Sequence, residues 1–110
     1  MSTNASQPQI NVDDIKRALQ SNNIDNAILL AQQALATKPA EEIHQEVLYL
    51  LAVAQRSKGR ITDATKTIDQ LINLNPNHAR AYQEQGYLRL SAADKPKAAM
   101  AFAKATRLNP

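Results

Sequence analysis

The sequence predicts an all-α protein, an α-solenoid of three antiparallel helix-turn-helix hairpins. Three observations lead there. Apolar residues recur at helical spacing along nearly the whole chain, and no stretch alternates as a half-buried strand would. Glycine occurs only twice while alanine is abundant, which favours helix over strand. Leu74-Asn75-Pro76 recurs as Leu108-Asn109-Pro110, a period of about 34 residues. Self-similarity at that length marks a stack of hairpins, each unable to bury its apolar face alone.

Residues 1–9, MSTNASQPQ, are polar and interrupted by proline, and are expected to form a disordered lead-in. The solenoid then occupies residues 10–110, with repeats at about 10–39, 40–76 and 77–110. Val12, Ile15, Ala18 and Leu19 fall on one face of a helix over 11–21, with Asp13 and Asp14 placed where the helix dipole favours negative charge. Ser21-Asn22-Asn23 breaks it, because these side chains compete for local backbone hydrogen bonds. A second helix over about 25–36 turns Ala27, Ile28, Ala31, Ala34 and Leu35 inward and stops at Thr37-Lys38-Pro39.

A third helix, from about 40 to 58, presents Leu48, Leu51, Ala52 and Gln55 on one face. The stretch from Pro39 to Pro76 exceeds the period by three positions. Three positions make about one helical turn, so a longer helix is expected rather than a longer loop. Gly59 supplies a left-handed stop. The return helix over 62–74 turns Ala64, Ile68, Leu71 and Ile72 inward. The last hairpin places a helix at about 80–91, a break at Ala93-Asp94-Lys95-Pro96, and an Ala-rich helix ending at Asn109. Asp94 suits a cap, and Pro96 is tolerated in a first turn, where its missing N–H had no partner.

The absence of cysteine excludes disulfides, thiolate zinc sites and a cysteine nucleophile. The N-terminus has neither the basic start nor the apolar core of a secretory signal, and the longest apolar run, 47–54, cannot span a bilayer. The expectation is a cytoplasmic protein with no membrane partner. Arg56, Lys58 and Arg60 surround the second hairpin turn, and Lys95 and Lys97 the third, an edge that could hold phosphate. The first turn offers Ser21-Asn22-Asn23 instead, and no aromatic stacking platform accompanies the bases, which argues against nucleic acid.

His44 and His78 are separated by the same period and read as solvent-facing loop residues just before the first helix of each repeat. Equivalent positions of adjacent repeats lie about 10 Å apart, too far for a shared metal. The pairs Asp13-Asp14 and Glu41-Glu42 read as helix N-terminal charges. No phosphate loop and no hydroxyl with matched histidine and acid is present, so no catalytic residue, metal or cofactor is expected.

The last two hairpins resemble the tetratricopeptide repeat family, whose pattern is Trp-x2-Leu-Gly-x2-Tyr, then Ala-x3-Phe, then Pro. Tyr82, Gly86, Ala98, Phe102 and Pro110 match, while Gln85 and Arg89 depart. Leu48, Leu51, Ala52, Ala64, Ile68 and Pro76 match in the second repeat, and Gln55 departs; the first keeps Ala27, Ala31 and Pro39. The resemblance implies a right-handed α-solenoid with close hairpins at the small residues, and with Phe102 and Ile68 filling the space between neighbouring repeats.

It also implies a non-catalytic protein-protein interaction module that binds a peptide or protein surface in a concave groove lined by the first helix of each pair. The residues placed there are Tyr49, Leu50, Val53 and Arg56 from the second repeat, Arg80, Gln83, Glu84, Tyr87 and Leu90 from the third, and Val12, Lys16 and Leu19 from the first. Tyrosine and arginine dominate binding hot spots; the competing reading packs Tyr49 and Tyr87 between adjacent first helices. Chaperone-binding relatives clamp a C-terminal carboxylate with Lys, Asn, Asn, Lys and Arg. Val12, Lys16, Leu50, Arg80 and Glu84 stand in those places, so such binding is not expected. Family members also carry such arrays before a catalytic domain, so a parent sulfotransferase or glycosyltransferase is a second expectation. The last helix lacks a polar capping face and is expected to expose Met100, to be covered by further repeats, a domain after Pro110, or an isologous homodimer.

Overall fold

Asn11 opens the first helix by accepting the Asp13 N–H on its Oδ1 at 2.8 Å. The computed structural model describes residues 11–110, so the expected lead-in over 1–9 lies outside them. Six helices follow: α1 (Val12–Gln20), α2 (Ile24–Ala36), α3 (Glu41–Ser57), α4 (Ile61–Leu74), α5 (Ala79–Ser91) and α6 (Lys95–Leu108). Among the described residues there is no strand. The helices pair as α1 with α2, α3 with α4 and α5 with α6, while α2 packs on α3 and α4 on α5. Stacking hairpins in a row gives an elongated body of 57 × 26 × 21 Å.

Each of the three hairpin turns is built the same way. After α1, Asn22 takes a left-handed φ of 58°, and the Asn23 N–H bonds the Ala18 carbonyl at 2.8 Å. After α3, Gly59 takes φ 85°, and Arg60 bonds the Gln55 carbonyl at 2.8 Å. After α5, Ala93 takes φ 60°, and Asp94 bonds the Arg89 carbonyl at 2.9 Å. This is the Schellman closure, which satisfies the orphan carbonyls of the ending helix. Asn23, Arg60 and Asp94 then serve at once as the N-cap positions of α2, α4 and α6. Asp94 completes the cap with its side chain, which accepts the Lys97 N–H at 3.2 Å.

The left-handed residue stands at the same distance before a proline in all three hairpins: Asn22 and Pro39, Gly59 and Pro76, Ala93 and Pro110. The extra turn of the middle repeat therefore lies before Gly59. It lengthens α3 to 17 residues against 13 in α5. This extension corrects the reading of His44 as a loop residue: it is the fourth residue of α3 and is half-buried.

Two apolar clusters hold the stack together. Ile15, Ala18, Ala27, Ile28, Ala31 and Ala34 meet Val47, Leu50, Leu51 and Ala54 across the seam between the first two hairpins. Leu48, Ala52, Ala64, Ile68 and Leu71 meet Ala81 and Leu88 across the second seam. Ile68 thus fills the inter-repeat space as expected. Phe102 sets its ring on Gly86 of its own hairpin, so close that a Cβ at 86 would lie 2.5 Å from Cε1, and borders the open cleft at the far end of the third hairpin. It is only half-buried, because among the described residues no later hairpin covers it.

The turn geometry makes a paired prediction. A Cβ at Gly59 meets nothing within 4 Å, so Gly59→Ala isolates the backbone cost of a left-handed alanine. It should cost about 1 kcal/mol and lower Tm by about 5 °C. Ala93→Gly relieves the same strain and should raise Tm by a few degrees, both read by circular dichroism melting.

Candidate functional site

The first helices of the second and third hairpins, α3 and α5, bring most of the expected binding residues together, but largely against one another. Two layers cross the seam. In the first, the Arg80 guanidinium lies 4.4 Å over the Tyr49 ring and pairs with the Glu46 carboxylate. Tyr49 also stacks beside His78, with ring centroids 6.2 Å apart. In the second, Arg56 grips the Glu84 carboxylate through Nε and, at 3.3 Å, through Nη2. The same guanidinium lies 4.9 Å over the Tyr87 ring, whose partner edge-on is Phe102 at 5.3 Å.

Glu84 was expected on the concave face, but only 2% of its side chain is exposed. A buried carboxylate without a partner would cost several kcal/mol, so the Arg56 fork is what allows it there. Arg56 itself keeps 30% exposure and joins the inside of the seam to solvent. Of the other expected residues, Leu50 is instead buried in the first seam, Val53 is half-buried, Gln83 is exposed, Tyr87 is 38% exposed and Leu90 is 48% exposed. Gln83 reaches only the Tyr87 hydroxyl, at 3.4 Å. Gln83, Tyr87 and Leu90, spaced along one side of α5, form the open part of the set.

The acidic partners Glu46 and Glu84 were the residues that sequence reasoning underrated. One signal was available: Glu46 and Arg80 are one period apart, so opposite charges occupy the same position of neighbouring repeats. Nothing comparable marked the Arg56–Glu84 pair.

His78 is not a loop bystander. Its Nδ1 accepts the Ala81 N–H at 3.1 Å and so caps α5. Burial, and then the Arg80 charge, hold its pKa below the ordinary 6.5, which keeps the accepting nitrogen unprotonated. Burial, with the Glu84 carboxylate next, pushes the Tyr49 phenol above its ordinary 10.0.

The basic edge read at the hairpin turns is compensated at four of its five charges, Lys95 being the exception among the described residues. Arg56 is held by Glu84, Lys58 lies 2.6 Å from Asp25, Arg60 3.2 Å from Asp63, and Lys97 3.8 Å from Asp94. Among the described residues no group of three or more His, Asp or Glu is placed to hold a metal, and no helix is long and apolar enough to cross a membrane.

A family model described as tetratricopeptide repeat matches residues 18–85. None of the curated protein sequences compared with the chain matches it. Among solved structures, one of MamA is 22% identical over 86% of this chain and 53% of its own, with a TM-score of 0.72. Another, described as MamA MSR-1 C2, is 20% identical over 90% of this chain and 57% of its own, with a TM-score of 0.73. At these identities the likeness shows the fold, and the chain spans little more than half the length of those proteins.

The seam can be tested at its ion pair and at its histidine cap. Arg56→Met strands a buried carboxylate and should cost about 3 kcal/mol in urea unfolding, while adding Glu84→Leu should recover most of that loss. If the double variant is no more stable than Arg56→Met, the pair is not a closed unit. For His78, the folded state favours the neutral ring, so the unfolded chain takes up the proton more readily. The stabilisation is complete above pH 6.5 and is lost as pH falls below it through the lower folded-state value. His78→Asn keeps a cap that cannot titrate, so its stability relative to the wild type should rise as pH drops from about 8 to about 5.

Proposed function

The chain belongs to the tetratricopeptide repeat family, and from that membership we propose that it is a non-catalytic interaction module. It binds a peptide or protein surface along the concave side of α3 and α5. The observation that carries this reading is the exposed stretch of α5 bearing Gln83, Tyr87 and Leu90, with Leu90 nearly half exposed although no core contact uses it. The two seam layers fix this stretch in place: Arg56 anchors Tyr87 from below, and Arg80 with Tyr49 fixes the N-terminal turn. A rigid, pre-formed surface spends little ordering entropy on binding. Docking of protein partners in the cytoplasm is part of this proposal.

A second reading rests on an adjoining surface that shares Arg80 and Gln83 with the first. Arg80, Gln83, Phe102, Ala105, Thr106 and Asn109 border an open cleft at the far end of the third hairpin. Each stands one period after Glu46, Tyr49, Ile68, Leu71, Ile72 and Asn75, several of which meet α5 at the second seam. This cleft has the form of a stacking face and suits a further helical hairpin, whether from more repeats, a following domain or a second copy of the chain. A docking region within a larger enzyme, such as a sulfotransferase or glycosyltransferase, would use it in that way.

The first reading is tested with peptides selected on the chain from a random library. Gln83→Ala with Leu90→Ser should weaken the selected peptides by about tenfold or more while the circular dichroism spectrum is unchanged. Binding that survives this double variant would place the peptide elsewhere.

A further inference from the structure

The net charge of the chain is not spread over it. Residues 77–110 carry six basic and two acidic side chains, whereas residues 1–76 carry seven and eight. Of the two acids in the third repeat, Glu84 is buried and taken by Arg56, and Asp94 lies beside Lys97. Of the six cations, Arg80 pairs with Glu46 and Lys95 lies outside the groove lining, while the other four are gathered on one side. Arg89 from α5 and Lys97, Lys104 and Arg107 from α6 line a single groove of about 420 Å³. Arg89, Lys104 and Arg107 have no carboxylate within ion-pair distance among the described residues.

The groove is not merely charged. Its floor holds Met100, which is 71% exposed, and the ring of Tyr82, with the Lys104 ammonium 5.7 Å from the ring centre. Positions 97, 100, 104 and 107 form one stripe along α6 at helical spacing. On α5, Arg89 is rotated by about 180° from Arg80 at 100° per residue, so this surface faces away from the proposed concave site. Nor is it a property of the repeat: the corresponding α4 positions, one period earlier, are Asp63, Lys66, Gln70 and Asn73. The basic stripe was put on one hairpin only.

We propose that this outer groove of the third hairpin is a second binding site, which takes an acidic peptide segment carrying a large apolar side chain. Three unpaired cations set the charge of the partner, and Met100 beside Tyr82 provides the apolar seat. The 14 residues of α6 span about 21 Å, enough for roughly six extended residues. A nucleic acid would bring the same charge but fits the floor less well. Tyr82 is the one aromatic ring in the lining, too little for the run of stacked bases that single strands use, whereas Met100 suits an apolar side chain.

The probe is a fluorescein-labelled peptide, Glu-Asp-Leu-Glu-Glu-Leu-Asp-Glu, titrated with the full chain and read by fluorescence anisotropy. Binding is expected at low salt and should weaken as salt rises, since exposed charges are screened. Lys104→Gln with Arg107→Gln should weaken it about tenfold or more, with an unchanged circular dichroism spectrum. Lys16→Gln with Lys66→Gln removes the same charge elsewhere and should change the affinity less than about twofold. Replacing both peptide leucines by serine should weaken binding several-fold. The proposal is overturned if the peptide does not bind at low salt, or if both double variants weaken it equally. It also fails if the serine peptide binds as tightly, or if labelled oligothymidylate binds at least as tightly as the peptide and responds to the same variants.

Discussion

The bidentate contact between Arg56 and Glu84 is the constraint on which the second half of the array depends. Glu84 faces the preceding hairpin from the middle of α5, at a point where the apolar contacts are made by small residues such as Ala81. A carboxylate in that place selects one register of α5 against α3, because only there does a guanidinium meet it. Sliding α5 by a turn would leave a buried charge without a partner, a cost comparable with a large share of the stability of so small a domain. The pair therefore acts as a positional lock, and the cation–π contact of Arg56 with Tyr87 extends the lock to the outer side of the helix.

The two seams differ in kind for this reason. The first joins α1 and α2 to α3 mainly through aliphatic side chains, with Ile15, Ile28, Val47, Leu50 and Leu51 interleaved among alanines and one exposed ion pair, Lys58 with Asp25, at its edge. Close helix approach at alanines suffices to fix it. The second has fewer large aliphatics and adds Glu46, Arg80, Tyr49 and His78 at one end of α5 and Arg56, Glu84 and Tyr87 further along it. Aromatic rings and arginines, the residue types that dominate interfaces between proteins, are used inside the molecule. What they leave to solvent on α5 is a short polar and aliphatic strip, held on a rigid support.

Most of the fold was legible because it rests on local rules. Ile15, Ala27, Ile28, Ala64 and Ile68 announce their burial by helical spacing, and Asp94 announces its cap. The spare turn of the middle repeat was readable from the distance between Pro39 and Pro76, although its effect on His44 was not. What stayed hidden was long-range and polar. Arg56 looked like part of a basic edge, since its partner is 28 positions away on another helix. Lys58 and Asp25 are likewise joined only by the fold. Ala93 gave no sign of a left-handed backbone, because that conformation is imposed by the turn and not chosen by alanine. The candidate site was half legible: spacing put most of the named residues on α3 and α5, where they meet, but did not show which side chains were already committed to one another.

An array of this kind should open from its ends, with the central seam last. The most direct test is native-state hydrogen exchange followed residue by residue across the six helices. If the charged and aromatic seam locks the third hairpin to the second, amides of α5 and α3 share the slowest exchange and the same opening free energy, with α1 and α6 fraying earlier. If α5 and α6 instead exchange together while α3 stays protected, the third hairpin opens as a separate unit and the seam does not hold the array together.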